Sequence, residues 1–186
     1  MKKYSFLETN RKYFKNYSLV PLRKSDIQNI RRWRNEQIQI LRQKTPLSKN
    51  DQNHYYENTI KKSFFVKKPK MIIFSFLLSG KCIGYGGFTR INWTKRSSEL
   101  SFILDTKRVQ NSKIYEKEFK IFLKLILELN DEQIKFKKIF TETYNIRPIH
   151  LRILENMSFR YRKIKRNFIK IHGEYVDSLI HEYKLN

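Results

Sequence analysis

The chain is poor in cysteine and glycine, and it lacks any long uninterrupted apolar run. Cys82 is the single cysteine in 186 residues, which excludes an internal disulfide and fits a reducing compartment. No apolar stretch approaches the roughly 18 to 20 residues that a membrane span requires. Charged residues also interrupt the first 16 positions repeatedly, unlike the apolar core of a signal peptide. We therefore expect a cytoplasmic protein without a membrane span.

Acidic residues are also scarce: 17 Asp and Glu face 40 Lys and Arg, which gives a net charge of +23. Such a charge favours a nucleic-acid partner. The basic residues are spread along the whole chain and form no single tail, however, so a bias toward lysine in the composition explains them equally well. The one local basic patch is 160–166, within a predicted strand. Nucleic acid is therefore an alternative partner here and not the leading one.

What the chain does contain is enough apolar material for one packed domain. Hydrophobic residues make up 40% of the sequence and aromatic residues 15%, which is typical of a folded globule. A length of 186 residues suits a single core. We expect residues 17–186 to form this domain and residues 1–16 to add an N-terminal arm or an edge strand.

The hydrophobic periodicity predicts strands and helices in mixed order. Alternation predicts strands at 17–22, 71–78, 82–91, 96–105 and 138–144, and a hairpin of 160–171 with 175–183. Helical spacing predicts helices at 25–35 with Ser25 as N-cap, at 48–60 with a Ser48–Asp51 capping box, and at 111–129 and 149–157. Strict alternation of strand and helix is absent, which indicates an α+β fold.

The succession from residue 71 to residue 159 resembles the Gcn5-related N-acetyltransferase (GNAT) superfamily. Its last helix, 145–159, is similar to the family pattern N-x-x-S-x-R-x-L-E-K-x-G-F, with matches at Arg152, Leu154, Glu155 and Phe159. The resemblance implies a mixed, mostly antiparallel sheet with helices on both faces, and an enzyme that uses acetyl-CoA as cosubstrate. Leu154 stands where many members carry the tyrosine that protonates the leaving thiolate, so this general acid is expected to be missing.

The resemblance also implies where acetyl-CoA binds. Its pantetheine arm is expected between the strands 99–104 and 138–144, with the thioester carbonyl polarised by a backbone N–H near Phe102 or Ile103. Its phosphates are expected at the N-terminus of the next helix. Arg147 falls at the place of the family asparagine. The expected cofactor residues are Phe102, Ile103, Leu104, Arg108, Gln110, Asn111, Lys113 and Arg147.

The expected phosphate loop, 107–115, differs from the family because it contains no glycine. Members usually carry R/Q-x-x-G-x-G/A there, and glycine lets the backbone approach a phosphate closely. Three interpretations stay open: the loop holds CoA through the charges of Arg108 and Lys113, it has lost the cofactor, or the phosphates bind elsewhere.

The segment 31–36 resembles the W-R-N signature of bacterial amino-sugar and ribosomal-protein N-acetyltransferases. The implied acceptor is a primary amine, first an amino-sugar nucleotide of surface-polysaccharide biosynthesis and alternatively a protein N-terminus. A cofactor-free module that binds RNA or protein is the alternative of a different class, and a homodimer is possible. A salt-bridge cluster explains the arginines about as well. The expected acceptor residues are Arg34, Asn35, Arg42, Gln43 and Tyr85.

For the chemistry we expect direct attack of the amine on the thioester. Glu99 is the best-placed carboxylate to remove the amine proton, although a cross-strand pair with Arg90 or Arg96 is an equal alternative. Cys82 has no histidine at a recognisable spacing, so it is expected to pack as a small apolar residue. The histidines have no metal-ligand spacing, and no metal is expected.

Overall fold

The structure is a computed structural model and describes residues 3–185. The described residues form eight strands: β1 Lys12–Phe14, β2 Tyr17–Pro21, β3 Ile72–Leu78, β4 Lys81–Asn92, β5 Ser97–Leu104, β6 Lys138–Tyr144, β7 Arg160–Ile171 and β8 Glu174–Lys184. They make one sheet in the order β1-β2-β3-β4-β5-β6-β8-β7. The α-helices are α1 Ile27–Glu36, α2 Lys49–Tyr55, α3 Lys61–Ser63, α4 Thr106–Val109, α5 Ser112–Leu129 and α6 Pro148–Asn156.

Helices cover both faces of this sheet, as the sequence predicts. On one face Phe102 of β5 stacks on Phe119 of α5 at 4.9 Å between ring centroids, and it also lies 4.4 Å from Phe122. On the other face Tyr85 of β4 accepts a 2.6 Å hydrogen bond from Arg34 of α1. Burying each core aromatic stabilises the fold by about 1.5–3 kcal/mol. The α+β expectation, with a mostly antiparallel sheet, is confirmed.

The only parallel pairing among the described strands joins β5 to β6, and it is short. The two strands pair over Ser97–Lys138, Ser98–Ile139 and Glu99–Phe140, and then diverge. Beyond Glu99, β5 keeps its antiparallel ladder with β4 and β6 keeps its ladder with β8. A wedge therefore opens in the middle of the sheet, and it leaves one edge of each strand without a strand partner.

Two predicted helix starts have different outcomes. Ser48 accepts a hydrogen bond from the Asp51 N–H while Asp51 accepts from the Ser48 N–H, so the capping box is confirmed. Ser25 as N-cap is wrong, because a 3-10 turn Lys24–Asp26 precedes α1, which begins at Ile27. The buried Asp26 is held by Arg23 and Ser75 instead, and this anchors the turn to the sheet.

The glycines of β4 are required by close packing of neighbouring elements. A Cβ on Gly86 would lie 2.3 Å from the Ser101 carbonyl oxygen and 2.7 Å from the ring of Phe122. A Cβ on Gly84 would lie 2.7 Å from the Ile103 carbonyl oxygen. The backbone of β5 and the side chain of Phe122 on α5 thus leave no room for a side chain at these two positions.

The N-terminal segment contributes both an edge strand and core residues. The strand β1 pairs with β2 at the edge of the sheet. Ahead of it, the fully buried Tyr4 exchanges hydrogen bonds with the backbone of Ile73. The first two residues of the predicted arm lie outside the described residues. Within the described part of the chain, no helix is long and apolar enough to cross a membrane.

Candidate active site

The wedge between β5 and β6 encloses a narrow cavity of about 90 Å³, lined by both strands, by α6 and by the segment after α1. Backbone groups of β5 alternate between its two neighbours. The carbonyls of Ser101 and Ile103 face β4, whereas the Leu104 carbonyl faces the wedge and accepts from the Gln37 amide at 2.8 Å. The N–H groups of Phe102 and Leu104 therefore face the wedge, and that of Ile103 does not. Of the two candidate oxyanion donors, the alternation favours Phe102.

The mouth of this cavity holds a cluster of two buried carboxylates and three cations. Glu99, 2% exposed, is ion-paired with Arg42 and lies 3.3 Å from the Nε of Arg90. Glu142 accepts hydrogen bonds from Arg42 at 3.2 Å and from Lys165 at 2.8 Å. Burial acts to raise the pKa of Glu142, but the hydrogen bond and charge of Lys165, with the charge of Arg42, outweigh it and lower that pKa.

The register shift in β4 explains why Arg90 joins this cluster. Thr89 pairs with Glu99, and the next pair is Asn92 with Ser97, so the residues between them bulge out of the ladder. Arg90 itself has a φ of 47°. The bulge redirects its side chain toward Glu99, which is the alternative pairing that the sequence left open for this carboxylate.

The segment between α1 and α2 closes the wedge from outside. A 3-10 turn, Ile38–Ile40, follows α1, and Leu41 and Arg42 after it line the cavity. Just before the turn, the Gln37 amide bonds the Leu104 carbonyl and the Thr106 hydroxyl. The Gln37 side chain therefore satisfies one of the backbone carbonyls on the unpaired edge of β5.

A second cavity, of about 300 Å³, lies between α1, α2 and the sheet. Arg34 reaches over it, donating to Tyr85 at 2.6 Å and to Gln43 at 2.9 Å. The interaction with Tyr85 raises the pKa of Arg34, while burial opposes that shift. Ser101 of β5 lines both this cavity and the wedge. The two spaces thus meet at one strand, with Glu99 two residues away.

Four of the five predicted acceptor residues form one hydrogen-bonded group. Asn35 accepts from the Gln43 amide at 2.9 Å and from the Leu47 N–H at 2.8 Å, and it donates to the Leu47 carbonyl. Asn35 therefore fixes the loop that carries Gln43, and Gln43 in turn positions Arg34. The fifth predicted residue, Arg42, points instead to the carboxylate cluster.

The predicted phosphate residues are more dispersed. Arg108 forms a two-pronged ion pair with Glu118 of α5, with one contact at 2.6 Å, and Glu118 is 1% exposed. The side chain of Asn111 accepts from the Ile114 N–H and so caps α5. Gln110 is the C-cap of α4, and Lys113 is exposed in the first turn of α5. Of this set, Lys113 offers an exposed cation at a helix N-terminus.

One hydrogen-bonded chain at the inner end of the wedge was missed by sequence reasoning. Arg147 donates to the Tyr115 hydroxyl at 2.8 Å, and that hydroxyl lies 2.6 Å from Nδ1 of His150. Arg147 and His150 both line the cavity. The sequence did contain one signal for His150. It lies one helical turn before Leu154, and so on the same face of α6 as the position where many family members carry the tyrosine that protonates the thiolate.

The mixed, mostly antiparallel sheet with helices on both faces matches the fold of the family that the sequence resembles. The family model described as acetyltransferase (GNAT) domain matches residues 19–180. The chain therefore belongs to the GNAT acetyltransferases. It is an N-acetyltransferase, and acetyl-CoA is its cosubstrate.

Solved structures share this fold at low sequence identity. The spermidine N-acetyltransferase from Vibrio cholerae in complex with CoA and spermine is 16% identical, with a TM-score of 0.76, and the match covers 92% of this chain and 96% of that one. An N-acetyltransferase from Staphylococcus aureus Mu50 is 13% identical, with a TM-score of 0.71, over 92% and 99% of the two chains. A dodecameric structure of the spermidine N-acetyltransferase from Vibrio cholerae is 17% identical, with a TM-score of 0.73, and the match covers 92% of this chain and 95% of that one. No curated protein sequence matches the chain significantly.

Proposed function

We propose that this N-acetyltransferase acetylates a primary amine carried by an anionic small molecule, an amino-sugar nucleotide. The observation that carries the proposal is the position of Arg34, which is held over the second cavity by Tyr85 and Gln43. A guanidinium presents a planar fork of donors that suits a diphosphate, and its remaining N–H groups suit sugar hydroxyls.

The charges around this cavity argue against a polycationic acceptor. The one carboxylate that lines it is Asp51, which is already held by the backbone and hydroxyl of Ser48. A polyamine would meet Arg34 in the cavity and a net charge of +23 on the whole protein. The same charge would attract a nucleotide diphosphate. The solved spermidine enzymes share the fold of this chain, but the second cavity of this chain favours an anionic acceptor.

Acetyl-CoA is proposed to enter the wedge, with its thioester beside Phe102. The Phe102 N–H is free to donate to the thioester oxygen, which becomes negative as the amine attacks. Entry of the pantetheine arm requires Gln37 and the Ile38–Ile40 turn to move, because they occupy the free edge of β5. Lys113 is proposed to contact the phosphates at the N-terminus of α5.

The acceptor amine is proposed to reach the thioester over Ser101, where the two cavities meet. Glu99 lies two residues away on the same face of β5, and we propose that it takes the amine proton, directly or through a water molecule. Glu99 is ion-paired with Arg42 and also lies near Arg90. We propose that Glu99 becomes available as the base when Arg42 turns away from Glu99 and Glu142 and pairs with the anionic acceptor.

A panel of acceptors tests this proposal. Release of CoA is followed with a UDP-linked amino sugar bearing a free amine, the same amino sugar without nucleotide, spermidine, and a short peptide with a free N-terminus. We expect the highest kcat/KM with the nucleotide-linked amine. Preference for spermidine or for the peptide would overturn the proposed acceptor while leaving the acetyl transfer itself in place.

The matched variants are Arg34→Met and Arg32→Met, which lie on the same helix. Loss of hydrogen bonds from a charged group costs about 1.5–3 kcal/mol, so Arg34→Met is expected to raise the KM for the nucleotide-linked amine roughly 10-fold to 100-fold. Arg32 is exposed, with Glu36 3.8 Å away, and its replacement is expected to change nothing. Equal KM values in the two variants would remove Arg34 from the acceptor site.

A further inference from the structure

We propose that Tyr115, His150 and Arg147 form a proton relay that protonates the sulfur of CoA as it leaves. This inference rests on the proposed place of acetyl-CoA between β5 and β6, and it adds the acid to that site. The three residues come from two helices and the loop before α6, and Arg147 and His150 border the wedge cavity together with Ser101 and Phe102. The group that meets the leaving sulfur is therefore on α6.

The hydrogen bonds fix the direction in which a proton can move. Arg147 donates to the Tyr115 oxygen at 2.8 Å, so the phenol proton points to its other neighbour, Nδ1 of His150, at 2.6 Å. Nδ1 is then an acceptor, and the ring proton of the neutral imidazole lies on Nε2. Nε2 has no hydrogen-bond partner among the described residues. An N–H donor is thus left for a group in the wedge.

The surroundings of His150 keep its ring neutral and fixed. The ring stacks on Phe119 with 4.4 Å between centroids and an interplanar angle of 11°. Burial, and then the charges of Arg147 and His181, hold the pKa of His150 well below its usual range. Burial raises the pKa of Tyr115, while Arg147 opposes that rise. A buried neutral imidazole that faces the cavity is suited to passing a proton and not to binding a charge.

Each bond that forms in the proposed transfer is matched by a bond that breaks. The amine nitrogen bonds to the acetyl carbon, the carbon–sulfur bond breaks, and its electron pair goes to sulfur. Sulfur takes the proton from Nε2 of His150, Nδ1 takes the phenol proton of Tyr115, and the phenolate is left facing Arg147. The proton removed from the amine through Glu99 goes to solvent. After CoA leaves, a solvent proton enters at Nε2, and Nδ1 returns its proton to the phenolate.

The relay also explains how the enzyme can work with Leu154 at the place of the family tyrosine. Leu154 is fully buried and has no ionisable group, so it cannot donate a proton to the thiolate. His150 lies one turn before Leu154 on the same helix face, and its ring reaches the wedge from there. The net acid is then a phenol, which acts through an imidazole from the neighbouring helix.

The first test needs no acceptor. The chain has four histidines, so ¹⁵N-labelled histidine gives a simple spectrum in which Nε2–H and Nδ1–H forms are distinguished at neutral pH. We expect His150 as the Nε2–H form, a large shift of its Nδ1 in Tyr115→Phe, and a shift of its Nε2 on addition of CoA. An Nδ1–H form would overturn the relay. If CoA shifts the amides of 102–104 but not Nε2, the relay is wrong and the cofactor site stands, and if neither responds, both are wrong.

The second test separates a chemical role from a structural one. His150→Phe keeps a ring that stacks on Phe119 but removes both nitrogens, and Tyr115→Phe removes the proton at the start of the relay. With acetyl-CoA and the best acceptor of the panel, each variant is expected to lower kcat roughly 10-fold to 100-fold and to change the KM for acetyl-CoA less than about threefold. The double variant is expected to match the worse single variant, because the residues act as one unit.

His172→Asn is the matched control. His172 lies in the exposed hairpin turn with a φ of 49°, a conformation that asparagine tolerates, so its kcat is expected to be unchanged. Multiplicative losses in the double variant, or losses that appear in the KM for acetyl-CoA instead of kcat, would show a packing role and overturn the relay. Calorimetric CoA binding to each variant verifies that the wedge is intact.

Discussion

Replacement of Arg108 by methionine decides between two roles for this side chain, a structural ion pair and a phosphate contact. Glu118 is 1% exposed and its partners are Arg108 and, at 3.3 Å, the Tyr17 hydroxyl. Arg108→Met leaves the carboxylate buried with the weaker of these partners. Breaking a buried pair on one side costs about 3–5 kcal/mol, and because Arg108 is 27% exposed we take the lower end, about 3 kcal/mol.

The measurement is urea unfolding together with thermal unfolding. A loss of about 3 kcal/mol lowers the Tm of a chain of this length by roughly 6–12 °C. The double variant Arg108→Met with Glu118→Met replaces the pair by apolar groups of similar volume, and it is expected to recover most of the lost stability. Lys107→Met is the control, because Lys107 is exposed and neighbours Arg108 on the same short helix.

A phosphate contact by Arg108 would give a different result. If Arg108→Met unfolds at the wild-type urea concentration but binds CoA with an affinity that no longer depends on salt, Arg108 contacts the phosphates and its pair with Glu118 is dispensable. CoA binding by Arg108→Met that matches wild type, with reduced stability, supports the structural role and leaves Lys113 as the exposed phosphate candidate in the first turn of α5.

Two further predictions concern Cys82 and Glu142. Cys82→Ala is expected to leave kcat nearly unchanged, because burial raises the pKa of its thiol to about 12 and direct attack needs no thiolate; an acetylated cysteine trapped by mass spectrometry would refute this. Glu142 has a lowered folded-state pKa, so its contribution to stability is complete above its ordinary value of 4.5 and is lost as the pH falls below it. Glu142→Gln is therefore expected to lose stability less steeply than wild type in acid unfolding below pH 4.5, and parallel curves would contradict the reasoning.

The fold was predictable because local patterns agree with it along most of the chain. Alternation placed every strand of the central meander, and the Ser48–Asp51 box placed α2. The errors occur where a tertiary contact overrides a local preference. Ser25 looks like an N-cap, yet Asp26 beside it is drawn to Arg23 and the sheet, so a 3-10 turn forms first. The first α-helix therefore begins later, at Ile27.

The candidate site was harder to predict because its parts are distant in sequence. The W-R-N segment singled out Arg34, and the structure places this residue in a hydrogen-bonded group with Gln43 and Asn35 that is mostly local in sequence. Its role in acceptor binding stays a prediction. The partner of Arg108 is ten residues away on another helix, and Glu142 reaches Arg42 across a separation of 100 residues. The contact between Arg42 and Glu142 depends on where β5 and β6 separate, and no spacing in the sequence encodes that position.

In the proposed cofactor site, the Gln37 hydrogen bond to the Leu104 carbonyl places acetyl-CoA in competition with a segment of the protein itself. Any ligand that enters between β5 and β6 must first displace this amide and the turn behind it. The measured binding free energy is then that of the ligand's own interactions, reduced by the cost of freeing the segment. Substitutions in 37–41 can therefore tighten or weaken binding without touching the ligand. Selection can adjust the enzyme to the cell's supply of cofactor at these positions, while the residues that perform the chemistry stay as they are.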